Sequence, residues 1–125
     1  MRMRPACAAA LLAVAPAAWA CGYCVEDKVA ATYDHAVVKR AIGRGEAVVF
    51  AEVSGATDAA SLTRKARRAA ARLKDVDPGS IRVNETPPTI SFALRSRARS
   101  PAEALAAAER AAAGGVKLTL LTVMR

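Results

Sequence analysis

The stretch EAVVFAEVSGATDAASLTRKARRAAARLKDVDPGSIRVNETPPTISFAL, residues 46–94, decides the fold. Its first eight residues, Glu46 to Val53, form an apolar, β-favouring run between Gly45 and Ser54-Gly55 and read as a strand. From about Ala59 to Lys74 the apolar residues recur at helical spacing, at Leu62, Ala66, Ala69, Ala70 and Leu73. The opposite side of that helix carries Arg64, Lys65, Arg67, Arg68 and Arg72. Asp77-Pro78-Gly79 is a turn by composition. A short strand, Ile81 to Asn84, and a longer one, Thr89 to Leu94, are linked through Pro87-Pro88. In the longer strand Ile90, Phe92 and Leu94 alternate with Thr89, Ser91 and Ala93, the period-2 pattern of a pleated surface.

Toward the C-terminus, Ser100-Pro101-Ala102-Glu103 opens another helix, with Ser100 at the N-cap, Pro101 at the first helical position and Glu103 completing a capping box. Gly114-Gly115 stops it, and Val116 to Val123 closes the chain as a strand, with Leu118 and Leu120 on one face. The order strand, helix, strand, strand, helix, strand makes two split βαβ units, the pattern of a ferredoxin-like α+β sandwich. Right-handed crossovers put both helices on one face of a four-stranded antiparallel sheet. The other face then shows Thr89, Ser91, Lys117, Thr119, Leu121 and Val123, too apolar a set to stand bare. Residues 25–41 read as one added N-terminal helix whose stripe, Val25, Val29, Tyr33, Ala36 and Val37, is expected to cover that face. Lys28, Ala31 and His35 fall on its solvent side.

Val53 to Asn84 resembles the heavy-metal-associated domain family, small ferredoxin-like modules that carry copper and related soft metals. The family's first strand ends in Gly-Met-Thr-Cys-x-x-Cys and is followed by a helix, a Pro-Gly turn and a Val-x-Val-Asn strand. Here the matching pieces are Gly55-Ala56-Thr57-Asp58-Ala59-Ala60-Ser61, Asp77-Pro78-Gly79 and Ile81-Arg82-Val83-Asn84, and Ser100 to Glu103 is similar to the opening of the family's second helix. The resemblance covers about residues 46–123 and implies the fold and a soft-metal function. Both family ligands are replaced, because Asp58 and Ser61 stand where the thiolates would be. A carboxylate and a hydroxyl are hard donors that do not select Cu(I), so the family's metal loop does not carry over. Asp58 reads instead as a helix N-cap accepting from the backbone of Ala60 or Ser61.

The N-terminus carries the marks of export. Arg2 and Arg4 precede the uncharged apolar run Ala8 to Ala18, and Ala18-Trp19-Ala20 supplies small residues at the −3 and −1 positions of a signal-peptidase site. Residues 1–20 are therefore expected to be a signal peptide, followed by a Cys-x-x-Cys segment and helix over 21–44 and the ferredoxin-like domain over 45–125. The run is short and contains Pro16, so it is not expected to span a membrane. Cys21 would follow the cut directly, which raises lipidation as an alternative to a soluble periplasmic or secreted form. Processing leaves 105 of the 125 residues and lowers the formal charge from +8 to +6. An exported protein is not expected to meet nucleic acid, and the positive balance favours acidic partners or an anionic membrane surface. The arginine row of the middle helix is the candidate docking surface for an acidic protein partner.

Concentrated chemistry occurs at one place, Cys21-Gly22-Tyr23-Cys24. A disulfide there would close a tiny loop at the chain end, worth about 2 kcal/mol or less, so stapling does not explain the pair. One reading makes Cys21 and Cys24 the ligands of Cu(I) or another soft metal, helped by the α-amino group freed by processing, whose reference pKa is near 8. A second makes them a redox dithiol, with a helix N-terminus lowering the thiol pKa. A third gives the chain a non-metal interaction or adaptor role. His35 lies eleven residues beyond Cys24, about 16 Å along a continuous helix, too far to share an ion with the thiols. No triad or phosphate-cradling motif accompanies them, so no enzymatic activity is expected beyond thiol exchange.

Overall fold

The structure is a computed structural model that describes residues 23–95, 97 and 99–125. The expected signal peptide and Cys21 lie outside the described residues. Two short helices, α1 (Val25–Thr32) and α2 (His35–Gly43), precede the strand β1 (Ala47–Gly55). Next come α3 (Ala59–Ala71), a 3-10 turn at Pro78–Ser80, β2 (Arg82–Glu85), β3 (Pro88–Leu94), α4 (Pro101–Ala111) and β4 (Val116–Met124). The sheet order is β2-β3-β1-β4 with every neighbouring pair antiparallel, the ferredoxin-like arrangement expected from the βαββαβ order.

Each sheet face has its own core. On one side Val49, Ala51, Val53, Ile90, Phe92 and Leu94 meet Leu62, Ala66 and Ala70 of α3 and Leu105 and Ala108 of α4. The alanines let both helix backbones lie close to the sheet while the larger residues fill the space between. On the other side Val38 and Ala41 of α2 pack on Val48, Phe50 and Ala93, with Val29, Leu121 and Met124 at the margin. The N-terminal segment thus covers the face the sequence left open. This is why Thr89 and Ser91, which alternate outward from the α3–α4 side, are buried. Their hydroxyls are satisfied by backbone carbonyls: Thr89 donates to Pro87 at 3.3 Å, and Ser91 donates to Thr32 at 3.1 Å.

The covering element differs from the single helix expected over 25–41. It breaks at Tyr33-Asp34, where both residues are extended and Asp34 starts α2 as its N-cap, accepting from Ala36 N at 3.0 Å and Val37 N at 3.2 Å. The carbonyl of Thr32, left open at the end of α1, takes the Ser91 bond. The break turns the stripe. Val37 is buried and Val29 half-buried, but Val25, Tyr33 and Ala36 are exposed. Lys28, expected in solvent, is half-buried and pairs with Glu52 of β1 at 3.0 Å.

A second difference lies in β4. Its pairing with β1 slips between Phe50 and Ala51, so that Ala51 faces Leu120 while Phe50 faces Thr122. The extra residue, Leu121, stays on the α1–α2 side, and beyond it the faces exchange. Val123 now pairs with Val49 on the α3–α4 side, and Met124 takes the place on the other face expected of Val123.

Candidate metal-binding segment

Cys24 occupies the N-cap position of α1 in extended conformation and makes no side-chain cap to the helix. Its carbonyl accepts from Lys28 N at 3.1 Å and so closes the first turn. The exposed thiol donates instead to the Asp27 carboxylate, Sγ to Oδ2 3.1 Å. That bond dominates its acidity. A carboxylate that accepts the thiol proton pushes the Cys24 pKa up from its usual 9.0, whereas a helix N-terminus on its own was expected to lower it. Glu26 adds a smaller push in the same direction.

Beside Cys24 a groove of about 490 Å³ runs between α1 and β4, lined by Val25, Glu26, Val29, Ala30, Tyr33 and Thr122. His35 sits past the far end of α1, exposed, with Nδ1 3.2 Å from the Tyr33 hydroxyl. The eight residues of α1 put about 12 Å of helix between Cys24 and that pair. The helix break therefore does not bring His35 to the thiol. Among the described residues no group of three or more His, Cys, Asp or Glu side chains is placed to hold a metal ion.

The loop expected from the sequence to correspond to the family's metal loop is engaged otherwise. Asp58 caps α3, its Oδ1 accepting from Ser61 N at 2.8 Å, while the Ser61 hydroxyl donates to Oδ2 at 3.1 Å. The Ser61 backbone bond, followed by its hydroxyl bond, holds the Asp58 carboxyl below its usual 3.8. Asp58 and Ser61 therefore bond each other and the helix end, in agreement with the N-cap expectation. Behind them, the end of β1 runs close to the start of β4, and a Cβ on Gly55 would collide with the Gly115 carbonyl and the Leu62 side chain.

A larger cleft, about 790 Å³, escaped the sequence reading. It lies where the α2–β1 turn meets the β3–α4 connection, with Arg97, Arg99, Arg125, Glu46 and Glu103 among its lining residues. Arg97 and Arg99 mark it in the sequence, but the α2–β1 turn that completes it is distant in the chain. The expected basic row is present: Arg64, Lys65, Arg67, Arg68 and Arg72 are all exposed. No family model matches the chain, and no curated protein or solved structure is significantly similar to it. No helix among the described residues is long and apolar enough to cross a membrane.

Proposed function

We propose that the chain is an exported, non-enzymatic carrier of a soft metal ion, with Cu(I) the first candidate, working in the periplasm or outside the cell after cleavage near Ala20. Cys21 and Cys24 hold the ion at the tip of a domain related to heavy-metal-associated modules. The observation that carries this reading is the exposed Cys24 thiol at the head of α1, outside both cores. Cys21 lies three residues away in sequence, within a reach of about 11 Å, and thiolates are the soft donors that Cu(I) prefers. At a linear or trigonal ion the pair, with the new α-amino group as a third donor, is a sufficient set.

The Asp27 contact shapes how such a site would load. Because the thiol keeps its proton in the metal-free chain, the ion must displace it, and apparent affinity rises with pH up to the raised thiol pKa. The raised pKa lowers the thiolate fraction of Cys24 near neutral pH, which slows both metal loading and disulfide exchange through that sulfur. A second reading is an adaptor that kept the fold and lost the metal, favoured by the closed Asp58–Ser61 pair at the family's metal loop. Metal analysis of the processed protein, purified without oxygen from the exporting compartment, separates the two. A soft ion in stoichiometric amount supports the carrier, and a metal-free chain with reduced thiols supports the adaptor.

A further inference from the structure

The outer face of α3 has a composition that fold stability does not explain. Its exposed positions are Arg64, Lys65, Arg67, Arg68 and Ala71, and the helix contains no acidic residue. Arg64 lies one turn from both Arg67 and Arg68, and Lys65 one turn from Arg68, so like charges are stacked where opposite charges would stabilise the helix. Among the described residues the ion pairs join Lys28, Arg82, Arg95 and Arg99 to carboxylates, and none involves an α3 cation. Arg64 reaches the Ser61 hydroxyl at 3.5 Å, and Arg72, just past the helix, donates to the Ala111 carbonyl at 3.3 Å. By contrast the exposed side of α4 mixes signs, with Glu103 and Arg110 both exposed.

We infer that this face docks the protein on an anionic phospholipid surface. The row is electrostatically frustrated in the isolated molecule, and a dense sheet of negative charge relieves it. Specific protein interfaces use arginines together with buried aromatic or large apolar anchors, and beside its cations the exposed face of α3 offers alanine alone. A plane of lipid headgroups asks for no such anchor, only basic side chains long enough to reach phosphates. Docking through α3 also leaves the opposite side of the sheet, where α1 and Cys24 lie, turned toward the aqueous phase. The inference is independent of what the thiols bind.

The test is sedimentation of the processed full-length chain with phosphatidylcholine vesicles, with and without phosphatidylglycerol. Binding is expected to the anionic vesicles alone and to fall steeply as salt is raised. The triple variant Arg64→Gln, Arg67→Gln, Arg68→Gln should lose roughly a hundredfold in affinity. A charge-matched control, Lys39→Gln, Arg40→Gln, Arg44→Gln, changes exposed cations of α2 and its cap and should retain most of the binding. Equal binding to neutral vesicles would overturn the inference, because it would report an apolar or lipid anchor. Equal loss in both triple variants would reduce the effect to net charge and overturn it as well. Tighter binding to polyglutamate than to vesicles of equal anionic charge would assign the face to an acidic polypeptide instead.

Discussion

Asp34 holds Arg82 at 3.1 Å through one carboxylate oxygen while its other oxygen caps α2. One side chain thereby starts the second helix of the N-terminal pair and pins it to β2, an edge strand of the sheet. The Val37 backbone bond first, and the Arg82 contact next, hold its carboxyl below the usual 3.8. A carboxyl with a depressed folded pKa contributes stability above its unfolded value and loses that contribution as pH falls through the folded one. Asp34→Asn should therefore be less stable than the wild type near pH 7, and the gap should close as the pH falls below about 4. Denaturant midpoints for both proteins across that range check this. A gap unchanged in acid would mean that the ion pair and the charged cap contribute nothing.

The N-terminal pair is docked rather than appended. Val38, 7% exposed, sits against Val48, Phe50 and Ala93, so Val38→Asp buries an unpaired carboxylate. The expected cost is about 3 kcal/mol or more. Thermal unfolding is the measurement, and an unchanged midpoint would show α2 to be detached in solution.

Two glycines should respond in opposite directions. Gly55→Ala drives a methyl group into the Gly115 carbonyl at the junction of β1 and β4 and should destabilise by about 1–3 kcal/mol. At Gly43 a Cβ meets nothing within 4 Å, and alanine there should stabilise slightly by reducing the freedom of the unfolded chain. Equal effects of the two substitutions would contradict the close approach of β1 to β4.

The ferredoxin-like core was legible because each of its elements announces itself locally. The Leu62–Ala66–Ala70 spacing, the Ile90–Phe92–Leu94 alternation and the Ser100-Pro101 cap need no knowledge of the rest of the chain. The break at Tyr33-Asp34 was hidden because the apolar spacing runs through it without a glycine or proline. Asp34 supplies a local cap, and tertiary bonds fix the break: Asp34 finds Arg82, and Thr32 finds Ser91, partners 48 and 59 residues away. The exchange of faces in β4 was equally invisible, since a bulge at Leu121 depends on pairing with β1. At the candidate site, the Cys-x-x-Cys spacing names candidate donors, and the Asp-x-x-Ser spacing marks the Asp58 cap that the Ser61 N bond displays. The influence of Asp27 on Cys24 needed the first turn of α1 in place.

That influence is itself measurable. Asp27→Asn replaces the carboxylate beside Cys24 with a neutral amide that can donate to the thiolate, so a larger fraction of the thiol should ionise near neutral pH. In a Cys21→Ser background, alkylation of Cys24 by iodoacetamide should then be faster in the Asn variant, with its pH profile displaced toward lower pH. Coincident profiles would show that the 3.1 Å contact does not persist in solution.

The proposal that the chain carries a soft metal stands or falls with Cu(I) titration of the reduced protein, prepared as residues 21–125, against a competing chromophoric chelator. About one ion should bind per chain, or per pair of chains sharing their thiols. Cys21→Ser combined with Cys24→Ser should abolish binding and leave the unfolding midpoint nearly unchanged, because Cys24 lies outside both cores. Asp58→Ala should bind as the wild type does while losing stability through its cap. Undiminished Cu(I) affinity in the double serine variant would contradict the account.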